Sequence, residues 1–285
     1  MVLDFLWTWK VATRSMLNQV AFLGKSDWWS YKALRQLKDE RYIQLLPRGK
    51  YIEQELWALT DHGFEIVLMD RDDIDHYRYK PHAPAHDFLA SCLQLGDVWL
   101  SNLERQFFTE QMLASLNPVN FPKHIRPAEG HVPDGISFLK NGFREVYVAY
   151  EVDLNLKNEE RYKNTFNYLD QKDGPALIIW LVRNEWIAER IFQIYREVTY
   201  NTELKERFLK RYAFILLDDF KLNVWNAKVL NSELNNLTIR KLHENLLQIP
   251  GKETPKLSQK VMCDLFFPKY KSPQKSITSL KKEVL

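Results

Sequence analysis

Three acids stand close together in the middle of the chain: Asp134 in the run Gly130-His131-Val132-Pro133-Asp134-Gly135, then Glu151 and Asp153 at the end of a Val- and Tyr-rich stretch. Between them lies Asn141-Gly142, which between two β-rich runs is a strong hairpin signal. A two-residue turn there pairs residue 140 with 143 and sets Asp134 opposite Ala149. Side chains alternate across a strand, so Ala149, Glu151 and Asp153 share the face of Asp134. Glu151 is then its diagonal neighbour, roughly 7–8 Å away, and Asp153 lies one step further along. Two carboxylates converging from neighbouring strands repel unless a cation sits between them. Their hard oxygens suit Mg²⁺ or Mn²⁺, with Asp134 and Glu151 as the metal ligands. Such an ion can activate a water and stabilise charge on a phosphate during hydrolysis.

The elements that must position these acids read as a mixed sheet covered by helices, an α/β (α+β) arrangement. Residues 176–182 form a continuous apolar strand, 185–198 a helix and 212–217 a further strand, with edge strands expected in 223–232 and a helix over 237–247. A helix over 158–170 carries Arg161, placed to clamp a phosphate, and has Lys157 at its start. Tyr162 is read as packing or donating a hydrogen bond rather than as a covalent nucleophile. His82 and His86 are four apart, but Pro84 between them argues against a regular helix there. They read as structural histidines at the entry to a helix over 87–95.

The first third has another pattern. Leu3, Leu6, Trp7 and Val11 recur at helical spacing. Thr13 or Ser15 can cap a second helix with Met16, Leu17, Val20 and Ala21 inward. After Gly24 a third helix buries Ala33, Leu34 and Leu37. Residues 42–46 and 55–59 then make a two-stranded wing with Arg48 and Lys50 at its tip, followed by a helix or turn from Thr60-Asp61-His62-Gly63. This order is that of a winged helix-turn-helix. Its third helix would present Trp28, Tyr31, Lys32 and Arg35 to the major groove, with Arg35 the base reader. Trp28 and Trp29 are expected to pack in the core rather than to stack on bases.

The net charge is only +3, but its distribution is uneven. Residues 25–50 hold seven basic side chains against three acids, and 252–285 hold eight lysines against three acids. Local basic regions around a balanced middle suit contact with nucleic acid at defined places. Two distant cysteines without a CxxC partner argue against a zinc finger or disulfide scaffold and fit a reducing, cytoplasmic setting. The first residues do not read as a signal peptide, and no stretch has the apolar length of a membrane span. The division expected is 1–80 for DNA binding, 81–248 for the acidic site and 249–285 as a flexible basic tail, with 261–267 a short docking patch.

Pro133-Asp134, a hairpin, then Glu151-Val152-Asp153 resembles the PD-(D/E)XK phosphodiesterase core, in which a lysine follows the second acid by two positions. Asp153 stands where that lysine belongs, and Lys157 is the nearest replacement. The winged helix, Pro-Asp-Gly and the run Glu151-Val-Asp-Leu-Asn-Leu-Lys-Asn-Glu-Glu-Arg-Tyr162 together resemble the replication-relaxation family, including MobC-type plasmid mobilisation relaxases, over about residues 1–220. The resemblance implies catalytic roles for Asp134, Glu151, Asp153 and Lys157. It implies nicking of one strand of double-stranded DNA at an origin of transfer or replication region. It leaves room for a coupling protein or accessory mobilisation proteins, and for a homodimer. The alternative is a catalytically silent winged-helix regulator of replication or transcription, which the missing lysine at position 153 favours. His-x-His, HExxH and Walker-type loops are absent, which disfavours HUH relaxases, zinc proteases and P-loop ATPases.

Overall fold

The computed structural model describes residues 1–247, apart from 23, 49–50, 70, 72, 75–78, 80–82, 99–103, 116–130, 142–143, 171–173, 199–210, 225 and 231–236. Lys50, His82, Gly142 and the tail 249–285 with its 261–267 patch lie outside the described residues. The fold is mixed α/β with two sheets.

The N-terminal region runs α1 (Val2–Trp9), β1 (Ala12–Thr13), α2 (Arg14–Ala21), α3 (Asp27–Asp39), β2 (Ile43–Leu45), β3 (Leu56–Leu59) and α4 (Asp61–Met69). Thr13 caps α2 by accepting from Met16 N, and Ser26 caps α3 by accepting from Trp29 N. A third strand joins the expected pair: β1 lies antiparallel to β3 on the side away from β2. Its two residues are too short a run to stand out in a period-2 pattern. Gly63, in the first turn of α4, is obligatory, because a Cβ there would meet Tyr42 O at 1.9 Å. The expected inward set of α2 is corrected at its end, where Val20 is exposed.

The second sheet follows α5 (Pro84–Val98) and has the order β4-β5-β6-β7-β8, with β4 (Glu104–Thr109), β5 (Gly135–Asn141), β6 (Arg144–Asp153), β7 (Leu177–Val182) and β8 (Tyr212–Leu216). β4, β5 and β6 form an antiparallel meander, while β6, β7 and β8 are parallel. Helix α6 (Glu110–Ser115) follows β4, α7 (Glu159–Leu169) crosses from β6 to β7, and α8 (Glu185–Val198) follows β7. After β8 come α9 (Leu217–Leu222) and α10 (Ile239–Leu247).

Helices cover both faces of this sheet. Ala149, Ile178, Trp180, Val182, Tyr212 and Phe214 pack against α7 and α8. Val148, Tyr150, Val152, Ile179, Leu181 and Ala213 belong to a second core, continuous with Leu6 and Trp7 of α1, Phe88 and Leu89 of α5, and Ile239 of α10. The N-terminal region and the large sheet therefore share one buried interior.

Three sequence expectations are corrected here. Helix α5 begins at Pro84 itself, because a helix's first residue needs no N–H partner and proline's fixed φ suits it. The described residues of 223–232 contribute isolated bridges, Ile215 to Val229 and Lys228 to Thr238, rather than edge strands. The hairpin pairs Asn141 with Arg144, so Ile136, not Asp134, lies opposite Ala149. That change moves partners by two, which keeps every side chain on its expected face.

Candidate functional site

Asp134 immediately precedes β5, and its Oδ2 accepts from Val152 N at 2.6 Å, so the carboxylate is pinned beside Glu151 rather than diagonal to it. Glu151 and Asp153 lie at the end of β6, each about 1% exposed, and Asp134 is 8% exposed. Leaving such charges buried and unpaired costs several kcal/mol each on a rough scale, and the fold gives each one a basic partner. His86, in the first turn of α5, places Nε2 3.1 Å from Asp134 Oδ2. His131 Nε2 lies 2.7 Å from Glu151 Oε1, with its Nδ1 3.3 Å from Thr165 Oγ1. Lys157 Nζ is 2.7 Å from Asp153 Oδ1.

These pairs shift the titration of their members. Burial disfavours charge on His86, but Asp134 beside it outweighs burial and raises the imidazole to about 10. His131 is likewise raised, burial opposing and Glu151 prevailing. Burial pushes Asp134 up, yet His86 and Lys157 together hold it well below the usual carboxylate range. Glu151 is raised, by burial first and by the neighbouring Asp134 charge, against the pull of His131. Lys157 is raised because Asp134 and Asp153 overcome its burial.

Asp134 and Glu151 open into a cleft of about 380 Å³ that His86, Glu110, Lys157 and Arg161 also line. It sits where β5 begins and β6 ends, inside the sheet's strand order, between the first turns of α5 and α7. Asn158 caps α7 by accepting from Arg161 N, which sets Arg161 at the cleft mouth with its side chain exposed. Asp153 turns elsewhere: its Oδ2 accepts from Trp180 Nε1 at 2.8 Å beneath the cleft, so its contact with the site is the lysine it holds. Trp180 is locked by the rings of Tyr162, Phe166, Tyr212 and Phe214. Tyr162 is fully buried and its hydroxyl accepts from Lys157 N, a packing and positioning role.

Asp134, Glu151, Lys157 and Arg161 are thus brought together, while Asp153 stands behind them. Two members escaped the sequence reading: His86, taken as structural, and His131, which carried no role. The available signal was charge balance, since three acids at the end of apolar strands require three nearby cations. Among the described residues, no group of three or more His, Cys, Asp or Glu is arranged to hold a metal ion. Asp134 and Glu151 are the residues that could hold a divalent ion at this cleft. They face one cavity, and Mg²⁺ is commonly held by one or two carboxylates with waters and substrate phosphate oxygens completing the shell.

The expected DNA-facing residues lie on α3. Trp28, Tyr31, Lys32 and Arg35 form one exposed stripe at i, i+3, i+4 and i+7. The expectation that Trp28 and Trp29 pack in the core is corrected: they are 67% and 44% exposed, with Lys32 Nζ 5.4 Å from the Trp28 ring and Lys25 Nζ 5.7 Å from the Trp29 ring. Helix α3 buries Leu34 and Ser30 instead, so both indoles fall on its outer side. Arg48 is exposed and paired with Glu55 at 3.3 Å. A groove of about 900 Å³ between α2, α3 and the small sheet holds Arg14, Arg35, Lys38 and Arg48 against Asp27, Asp39, Glu53 and Glu55, so its charges balance.

No protein-family model, curated protein or solved structure matches the chain. Among the described residues, no helix is long and apolar enough to cross a membrane.

Proposed function

We propose that the protein is a metal-dependent DNA nickase of the relaxase type. On this reading the α1–α4 region is a winged helix that docks on double-stranded DNA, and the large sheet is a PD-(D/E)XK-like nuclease core. The observation that carries it is the convergence on one cleft of Asp134 immediately before β5, Glu151 near the end of β6 and Lys157 in the β6–α7 loop. The antiparallel meander β4-β5-β6 followed by the parallel β6-α7-β7 crossover supports the same reading. Lys157 offers the positive charge that a lysine two positions after Glu151 would otherwise give.

Asp134 and Glu151 would hold Mg²⁺ or Mn²⁺, which supplies an activated water and positive charge at the phosphate. Arg161, at the mouth, clamps a backbone phosphate. Lys157, kept charged and aimed by Asp153, faces the negative charge that builds on the phosphate oxygens. His131, anchored on Thr165, orients Glu151. Helix α3 sets the register of the DNA through Lys32, with Arg35 reading a base and Trp28 and Tyr31 as apolar contacts.

The test is relaxation of a supercoiled plasmid bearing the cognate origin. Wild-type protein is expected to give open circles with Mg²⁺ or Mn²⁺, and Asp134→Ala or Glu151→Ala to lower the rate by roughly 10²–10³-fold. No nicking with either metal removes the enzyme reading. Full activity in both variants moves the site elsewhere. One observation favours the second reading, a silent DNA-binding regulator: His86 and His131 already compensate the two carboxylates. That reading is distinguished by DNA binding with no nicking under either metal.

A further inference from the structure

Two non-glycine residues among those described have positive φ, Arg41 and Lys10. Arg41 is accounted for by helix termination. It follows α3 at the position where a left-handed residue lets Arg41 N reach Lys38 O and Tyr42 N reach Leu37 O. Lys10 closes α1 differently, with φ 60 and ψ −44. Val11 N donates to Trp9 O at 2.7 Å across it, which makes a three-residue γ-turn of the rare, strained hand. Strain of this kind persists only where the surroundings over-determine it. Here they do. Thr109 donates to Thr8 O at 2.6 Å, Ser91 to Trp9 O at 3.2 Å, and Tyr79 to Lys10 O at 2.6 Å. Three segments distant in sequence thus clamp three consecutive carbonyls.

The turn aims a lysine into the interior. Lys10 is 6% exposed, and its Nζ lies 3.4 Å from Asp87 Oδ1 and is paired with Glu110. Asp87 Oδ1 is in turn 3.5 Å from His86 Nδ1, and His86 Nε2 is 3.1 Å from Asp134. Asp87 is 5% exposed, and its buried Oδ2 has no hydrogen-bond partner among the described residues. Stability alone does not explain this construction. The strained turn carries a conformational cost, and a buried ion pair is often no more stable than apolar side chains of the same volume. Both costs fall on a residue that ends a chain of contacts at a cleft carboxylate.

We infer that Lys10 is a positioning residue for this cleft: from its strained turn it fixes Asp87, and through Asp87 the His86 ring that holds Asp134. The inference rests on the proposed nickase reading for its kinetic consequence. It also ties α1, part of the region proposed to dock on DNA, to the carboxylate site. Being buried, Lys10 takes no part in holding DNA, so its removal acts on turnover.

The experiment compares Lys10→Met and Lys10→Gly with wild type, each checked for folding by circular dichroism. Glycine adopts this backbone at ease, so the second variant remains informative if the first does not fold. In plasmid nicking with Mn²⁺, kcat is expected to fall roughly 10–100-fold, with KM for DNA unchanged within about twofold. In a His86→Asn background, Lys10→Met is expected to cause no further loss, since residues acting through one another are not additive. Wild-type kcat in a folded Lys10 variant, or a full additional loss on top of His86→Asn, overturns the inference. If wild-type protein nicks nothing, the proposed function falls, and Lys10 is judged on the ¹⁵N resonances of the His86 ring, assigned by their loss in His86→Asn. They shift in the Lys10 variants if the residue positions His86, and unchanged resonances overturn it.

Discussion

On α3, Arg35 and Asp39 face each other at 3.9 Å with side chains 69% and 70% exposed. In the cleft, Lys157 and Asp153 face each other at 2.7 Å with side chains 24% and 0% exposed. Both are acid–base pairs four residues apart, yet they belong to different physical regimes. At the surface, water screens the pair and either member can leave at little cost. In the cleft the charges have been taken out of water, so removing one partner strands the other. The first arrangement leaves charges free to exchange a partner for a phosphate. The second fixes their geometry and makes stability depend on which groups are protonated.

The largest expected difference is in folding stability. Asp153→Ala takes the direct ion-pair partner from Lys157 and leaves Trp180 Nε1 without its acceptor. It is expected to lower unfolding free energy by about 3–5 kcal/mol, whereas Asp39→Ala should stay within about 0.5 kcal/mol. Urea denaturation measures both, and equal losses would break the contrast. Next comes pH, read without divalent ions in EDTA. His86 is raised from 6.5 to about 10. A raised pKa gives stability that is complete below pH 6.5 and is lost as pH climbs toward 10. The melting temperature should therefore fall across that alkaline window, and this contribution should be absent in His86→Asn. An identical pH dependence in the two proteins would show that the histidine is not the source.

The smallest effect concerns the surface. Arg35→Ala should melt like wild type, within about 0.5 kcal/mol, while DNA affinity weakens by about 1–3 kcal/mol if Arg35 reads a base. If it contacts only a phosphate, binding weakens on every sequence alike and the slope of log K against log salt falls by about 0.9. Fluorescence anisotropy on cognate and scrambled duplexes separates these cases. No change on either duplex would remove α3 from the proposed DNA contact.

Much of this arrangement is legible in the sequence. Hydrophobic periodicity marked α1–α3, β7, α8 and β8, and the alternation of β6 put Glu151 and Asp153 on one face. The period of two survived an error in the turn, because a shift of partners by two leaves the facing unchanged. What alternation could not set was the partner itself, and so Asp134 was expected opposite Ala149 rather than held by Val152 N beside Glu151. Strand β1 was missed because two residues carry no period, and Trp28 and Trp29 were misplaced because hydrophobicity does not say which face of α3 has a neighbour.

The sequence by itself determined many of the element types and the spacing of Asp134, Glu151, Asp153 and Lys157, since these follow from local periodicity and chain order, while β1, β4 and α6 gave no such pattern. Only the tertiary structure decided which cation meets which acid. His86, His131 and Lys157 reach Asp134, Glu151 and Asp153 from three different segments, and burial forces that pairing once the sheet has closed. Lys10 belongs to the same class. Its role depends on a turn held by Ser91, Tyr79 and Thr109, residues far along the chain whose hydrogen bonds exist only when α1 lies against α5 and β4.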